Sequence, residues 1–191
     1  MFAFLKGALA AVMGIALGLA VTFVTLERGF GFGAVRAGPW TAWPRVGASD
    51  IDPYARAVLS RTGEIPLATA QGIAFYARSD DGGVPLSGSC DYVLSGAVPA
   101  ARYWTLTLTD PNGRLVENGA HRYAFTSAEI LRRADNSFSI AVAPGARPGN
   151  WLPSEAGQRF VLVLKLYDAI ASASPSGLAG ATPTITRGRC S

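Results

Sequence analysis

The chain reads RYWTLTLTDPNGRLV over residues 102–116, and this stretch indicates a β-hairpin. In its first eight residues, tryptophan and leucine alternate with tyrosine and threonine, which is the pattern of a half-buried strand. The following DPNG favours a tight turn, because proline presets the second position and Asn-Gly tolerates positive φ. Residues 114–116 are therefore predicted to return as the partner strand.

Short runs of the same kind continue on both sides of the hairpin and are separated by glycine, proline, aspartate and asparagine, as is typical of an all-β domain. Further strands are predicted at residues 73–78, 90–95, 121–125, 138–142, 160–166 and 184–186. The run FVLVLKL at 160–166 is apolar at nearly every position, which predicts a central strand covered on both faces.

Two short helices are predicted beside these strands: one over residues 51–62, capped by Ser49 or Asp50, and a single turn over residues 126–133. The predicted fold class is mainly β, a single β-sandwich or jelly-roll-like domain with two short helices.

Residues 7–26, GALAAVMGIALGLAVTFVTL, contain no charge and no proline. A helix of this length spans the roughly 30 Å hydrocarbon layer of a bilayer. Lys6 precedes the run, so the positive-inside preference places the N-terminus in the cytoplasm and the domain outside it. The alternative is a signal peptide cut at Gly18-Leu19-Ala20, which would leave the apolar residues 21–26 exposed. An uncleaved anchor is the favoured prediction.

The glycine-rich residues 27–38, ERGFGFGAVRAG, are predicted to form a flexible stalk. This divides the chain into an anchor and stalk at residues 1–37 and a β-sandwich domain at residues 38–191. Trp40 and Trp43 follow the stalk, and their amphipathic rings suit either packing on the domain or docking at the lipid interface.

The charge of the chain argues against nucleic acid as a partner. Its 17 basic and 13 acidic residues give a net charge of +4. The charges are scattered along the chain, whereas a nucleic-acid-binding surface is strongly basic and clustered.

Several segments together resemble the DUF1214 family, a bacterial domain of unknown function. They are YWTLTLTDPNGRLVENGAHRYAFTS, LRRADNSFSIAVAP, PGNWLP, FVLVLKLYD and TPTITRGRC. The resemblance covers about residues 50–190 and is to the short, membrane-anchored form. Other members carry this domain behind a DUF1254 domain.

The resemblance implies a jelly-roll-like sandwich and no established reaction. It marks a mixed set of structural and functional positions: Tyr103, Trp104, Asp110, Arg122, Tyr123, Asn150, Trp151, Leu152, Pro153 and Tyr167.

Cys90 and Cys190 are the two cysteines of the chain. Outside the cytoplasm an isolated pair is more often a disulfide than a metal site, so we predict a bond that ties the C-terminal tail to an early strand. Two free thiols are the alternative.

No catalytic motif is recognisable. His121 is the single histidine, and no G-x-S-x-G sequence supplies a nucleophile beside it. Asp110, Glu117 and Asp168 are candidate acids, but no pair can be nominated from their spacing. No metal site and no cofactor are predicted.

The residues 144–153, PGARPGNWLP, contain three prolines and two glycines and are predicted to form a loop. Its Asn150 and Trp151 place an amide beside a rigid aromatic ring, which suits stacking on a sugar or an apolar ligand. Arg122 and Arg147 can pair with an anionic ligand if they converge. The alternative is structural, with Trp151 closing the sandwich and Asn150 bonding loop backbone.

These features predict a single-pass protein of the bacterial inner membrane whose C-terminal domain lies in the periplasm. The domain is predicted to be a non-catalytic binding or interaction module of the cell envelope, with an envelope protein or a small molecule as its partner. The alternative is an enzyme that acts on a carbohydrate or lipid-like envelope substrate in a cleft near Trp151.

Overall fold

The computed structural model describes residues 2–27, 29, 31–169 and 182–190. Within these ranges it contains two helices, α1 (Phe2–Glu27) and α2 (Pro53–Thr62), and ten strands. The strands are β1 (Val35–Ala37), β2 (Trp40–Ala42), β3 (Gly72–Ala77), β4 (Cys90–Gly96), β5 (Tyr103–Thr109), β6 (Ala124–Thr126), β7 (Phe138–Ala143), β8 (Asn150–Pro153), β9 (Val161–Tyr167) and β10 (Thr184–Cys190).

The strands form two sheets with the orders β1-β2-β3-β9-β5-β6 and β10-β4-β7-β8. Alternate residues of both sheets contribute to one buried cluster, so the sheets pack on each other as a sandwich. Its largest fully buried side chains include Trp40, Phe75, Leu106 and Leu164 from the six-stranded sheet and Tyr92, Leu94, Phe138 and Ile140 from the four-stranded sheet. The predicted mainly β, sandwich-like fold behind an apolar N-terminal helix is confirmed. Its jelly-roll topology stays a prediction.

Strand β9 is central, as predicted, and its two faces are covered by different layers. It pairs with β3 on one side and β5 on the other. Leu162, Leu164 and Leu166 point into the sandwich core. Val161 and Val163 point outward into a second buried cluster, which is completed by Trp43, Ala55, Val58 and Tyr76. We call this second cluster the α2 face, because α2 covers it.

Helix α2 lies within the predicted range but begins later than expected. Asp52 is its N-cap, and the Asp52 carboxylate accepts hydrogen bonds from the backbone N–H groups of Tyr54 and Ala55. Pro53 occupies the first helical position, where its missing N–H costs nothing. Gly63 ends the helix in the left-handed conformation, at φ 70°.

The predicted hairpin forms its turn but only a rudimentary second strand. The Gly113 N–H donates to the Asp110 carbonyl, and the Asp110 carboxylate accepts from the N–H groups of Asn112 and Arg114. Beyond the turn, Leu115 makes one isolated bridge to Thr109.

Two predicted local structures are wrong. Residues 127–129 form a turn and not a helix, although the Glu129 carboxylate does accept from the Thr126 N–H, as a capping residue would. The end of the predicted loop, Asn150–Pro153, is strand β8, which pairs in parallel with β7. Pro153 is tolerated because β8 is an edge strand that need not donate on its open side.

The predicted stalk is also different in the structure. Val35–Ala37 form β1, which pairs with β2 across the expected boundary at residue 37. Both tryptophans pack on the domain: Trp40 lies in the core and Trp43 in the α2 face. The division of the chain into residues 1–37 and 38–191 stays a prediction.

Cys90 and Cys190 form the predicted disulfide. The bond joins β4 to the edge strand β10, whose ladder with β4 is irregular between Arg187 and Cys190. A covalent link therefore joins the two strands at the irregular end of their ladder.

Candidate functional site

Asn150 and Trp151, two of the four residues predicted to form a ligand site, lie on opposite faces of β8, because successive side chains of a strand alternate. Asn150 is only 7% exposed. Its Nδ2 donates to the carbonyl oxygens of Leu131 and Ser139, each at 2.9 Å, and its Oδ1 accepts from the Leu131 N–H at 2.9 Å. Both amide donors are occupied, so Asn150 joins β7 and β8 to the turn before β7.

Trp151 lies on the outer face of the four-stranded sheet and is half-buried. Its Nε1 donates to the Ala143 carbonyl at 3.0 Å, which fixes the ring along β7. Trp151 pairs with Ala141, which in turn pairs with Val93. Small neighbours therefore leave the indole as the largest side chain on this face.

Arg147 reaches the same outer face. Its Nη2 lies 2.6 Å from the Asp91 carboxylate. Tyr92 pairs with Val142, so the antiparallel register places Asp91 beside Ala143, whose carbonyl holds the indole. An aromatic ring and an ion pair thus adjoin on one exposed surface. We call this surface the Trp151 face and define it by Asp91, Val93, Ala141, Arg147 and Trp151.

Arg122 approaches Trp151 by a different route. Its Nη1 donates to the Trp151 backbone carbonyl at 3.4 Å, and its guanidinium lies over the Phe125 ring at 5.2 Å from the centroid. Arg122 and Arg147 therefore have separate partners, the first a carbonyl and an aromatic ring, the second a carboxylate. Their convergence on one anion stays a prediction.

A second polar cluster, which the sequence did not predict, lies in a small cleft beside the α2 face. The Tyr76 hydroxyl donates to the Glu64 carboxylate at 2.5 Å, and the Lys165 ammonium lies 3.6 Å from the same carboxylate. The cleft measures about 10 Å³ and is also bordered by Trp43 and Leu67. That volume holds about one water molecule.

The environment of Tyr76 changes its acidity. Burial raises the pKa of its hydroxyl well above the ordinary value, and the Glu64 charge and hydrogen bond raise the pKa further. Lys165 was the available signal in the sequence, because a single charge within the apolar run FVLVLKL requires a partner.

The remaining candidate acids and the histidine are dispersed. The Glu117 carboxylate accepts from the Tyr123 hydroxyl at 2.7 Å, and Asp168 lies 3.5 Å from Arg102. Asp110 holds the hairpin turn, and His121 is exposed at φ 50°. Within the described ranges, no group of three or more His, Cys, Asp or Glu side chains is placed to hold a metal ion.

Three other positions marked by the resemblance are buried. Trp104 and Leu152 lie in the core and Pro153 is buried. Tyr103 and Tyr167 face each other across the β5–β9 ladder with ring centroids 6.0 Å apart.

The fold is thus a two-sheet β domain with a disulfide-linked edge and an apolar N-terminal helix. Residues 71–171 match the sequence profile of the DUF1214 family, described as a protein of unknown function. The match covers more than half of the chain, so this chain belongs to the DUF1214 family. No curated protein sequence matches the chain.

Solved structures similar to this one include the following two. The VPA0106 protein from Vibrio parahaemolyticus aligns over 93% of this chain with a TM-score of 0.60 and 20% identity. A putative uncharacterized protein from Burkholderia cenocepacia aligns over 91% of this chain with a TM-score of 0.45 and 18% identity. This chain spans 42% of the length of the first and 50% of the second. The first likeness supports the fold alone.

Proposed function

We propose that this protein is a single-pass protein of the bacterial inner membrane whose periplasmic β-sandwich is a non-catalytic binding or interaction module of the cell envelope. The observation that carries the proposal is α1. Over Ala3–Glu27 it is long and apolar enough to cross a membrane, and none of its apolar window is buried in the protein. The Cys90–Cys190 disulfide supports an oxidising compartment outside the cytoplasm.

The binding role draws its support from the Trp151 face. A half-buried indole beside the Arg147–Asp91 pair offers stacking and polar contacts on a sheet surface. The enzyme alternative has less support. Asn150 is buried with both amide donors bonded to backbone carbonyls, and the cleft described above lies at the α2 face, not at Trp151.

Membrane topology is tested with a fusion of alkaline phosphatase after residue 191, expressed in bacterial cells. We expect enzyme activity from a full-length, membrane-bound fusion, because this phosphatase matures only where disulfides form. An inactive fusion overturns the periplasmic assignment, and a soluble fusion shortened near residue 20 identifies a cleaved signal peptide.

The binding role is tested by photo-crosslinking in cells, with the crosslinking amino acid at Trp151. The matched control places it at Tyr103, an exposed aromatic residue on the other sheet. We expect an envelope adduct at position 151 that is absent at position 103. Equal labelling at the two positions contradicts a binding role for this face, and covalent change of a captured carbohydrate or lipid supports the enzyme alternative.

A further inference from the structure

The end of α1 packs directly on the β domain. Residues 3–21 are exposed, whereas Thr22, Thr25 and Leu26 are partly covered. Leu26 packs against the α2 face. Glu27 then pairs with Arg61, near the end of α2, at 3.1 Å. The helix and the domain are therefore in contact where the chain leaves α1.

Gly31 and Phe32, which follow α1, lie against residues at the beginning of α2. The Gly31 carbonyl accepts from Trp43 Nε1 at 3.3 Å. A Cβ at Gly31, which has φ 73°, would lie 2.9 Å from the Asp52 carboxylate that caps α2, so a larger residue there would be strained and would displace the cap. Phe32 packs edge-on against Tyr54, at 5.8 Å between centroids. Glu27 thus contacts the end of α2, at Arg61, and Phe32 contacts its beginning, at Tyr54.

The length of α1 places this contact at the edge of the hydrocarbon. Twenty residues, 7–26, rise about 30 Å, which matches the hydrocarbon thickness. Thr22 and Leu26 therefore lie at or just inside one boundary of the hydrocarbon. The part of the domain that contacts Leu26 must therefore lie directly beside the lipid.

We propose that the α2 end of the domain lies in the phospholipid headgroup layer of the bilayer that α1 spans. This inference rests on the proposed anchoring by α1. The membrane-contact surface consists of Phe32, Arg61 and Ile65.

The chemistry of this surface suits the headgroup layer. Phe32 is 71% exposed and Ile65 is 85% exposed. Phe32 follows Gly31, which bonds Trp43 of the α2 face, and Ile65 lies four residues after Arg61, which pairs with Glu27. Apolar side chains that enter the boundary between headgroups and acyl chains bind it by the area they bury. Arg61 can bond lipid phosphate while it remains near Glu27.

The test uses the full chain in vesicles of phosphatidylethanolamine and phosphatidylglycerol. A fluorescent label is attached to a cysteine introduced by Ile65→Cys or Phe32→Cys, while the native cysteines remain in their disulfide. The control is Leu131→Cys, which replaces an exposed apolar residue (67% exposed) far along the chain from α1 and α2. The measurement is quenching by nitroxide attached to lipid headgroups.

We expect quenching at positions 65 and 32 to exceed that at position 131 by about twofold or more, since contact side chains sit within the headgroup boundary. Equal quenching at all three positions overturns the proposal. A fourth label, at Val12→Cys, reports on anchoring through quenching by nitroxide in the acyl chains.

The Val12 label distinguishes failure of the proposed anchor from failure of the proposed headgroup contact. Quenching at position 12 without excess quenching at position 65 leaves the anchor intact and removes the headgroup contact. No quenching at position 12, with no flotation of the protein with the vesicles, overturns the anchor and the contact that rests on it.

Discussion

The two outer faces of the sandwich differ in what covers them. On the six-stranded sheet, α2 covers the outward side chains of β3 and β9, and Val163 is only 7% exposed. On the four-stranded sheet, the equivalent outward residue Val93 is 42% exposed. The same residue type thus belongs to a second core on one side and to the surface on the other.

The two faces therefore differ in their contact with the N-terminal helix. The α2 face contacts α1 through Leu26 and through the Arg61–Glu27 pair, so it is the side joined to the N-terminal helix. The Trp151 face lies on the opposite side of the sandwich and carries an aromatic ring with an ion pair. An uncovered sheet face of this composition remains available to a partner.

The largest expected effect comes from charging each face in turn. Val163→Asp buries an unpaired carboxylate beneath α2 and should lower the free energy of unfolding by about 3 kcal/mol or more. Val93→Asp should change it by no more than about 0.5 kcal/mol, because its carboxylate stays hydrated. Urea unfolding of the full chain in detergent, followed by tryptophan fluorescence, measures both.

Equal losses in the two variants would break the comparison, since they would mean that Val93 is also covered. Because Trp40 and Trp104 lie in the core, the fluorescence change reports on the sandwich itself.

The next largest effect concerns the edge of the open sheet. Reduction of Cys90–Cys190 should lower the free energy of unfolding by about 2–4 kcal/mol and raise amide exchange in β10 and β4 before β3 and β9. Exchange mass spectrometry with and without reductant measures this order. The double variant Cys90→Ala/Cys190→Ala serves as control and should not respond to reductant; uniform exchange across both sheets would contradict the prediction.

The smallest expected change in the free energy of unfolding comes from removing one of two tyrosine–carboxylate hydrogen bonds. Tyr76→Phe removes the hydrogen bond to Glu64 beside the α2 face and should cost about 1–2 kcal/mol at neutral pH. Tyr123→Phe removes the same bond to Glu117 in a solvent-exposed setting and should cost less. Equal losses of unfolding free energy in the two variants would show that burial at the α2 face does not strengthen the Tyr76–Glu64 hydrogen bond.

The Tyr76 pair also has a pH signature. The pKa of Tyr76 is raised in the folded chain, so the unfolded chain releases this proton first, above about pH 10. Its contribution to stability is complete below that pH and is lost as the pH rises further. Tyr76→Phe should therefore flatten the alkaline decline of stability in urea titrations, whereas an unchanged slope would refute the assignment.

Periodicity predicts most strands, but it does not predict which face of the sheet each residue of the candidate site occupies. The run 102–109 alternates strictly, and it forms β5 with Leu106 and Leu108 inward. In PGNWLP, proline and glycine indicated a loop, so Asn150 and Trp151 were expected to act together. As members of β8 they are separated by the sheet itself.

The members of the polar cluster at the α2 face could not be predicted from local sequence patterns, for a different reason. Lys165 signalled that a partner was needed, but Glu64 is about 100 residues away in the chain, just after α2. Only the packing of α2 on β3 and β9 brings Glu64 to Tyr76 and Lys165.

The sequence by itself determined the β-rich class, the apolar N-terminal helix and the pair of cysteines available to bond, because these follow from composition and from period-two and unbroken apolar patterns. The tertiary structure alone decided which outer face is covered, which side of β8 Trp151 occupies and how closely the domain follows α1. Such outcomes depend on contacts between distant segments, such as Leu26 with the α2 face and Cys90 with Cys190. A local pattern defines which side chains must be buried, and only the assembled layers determine what buries them.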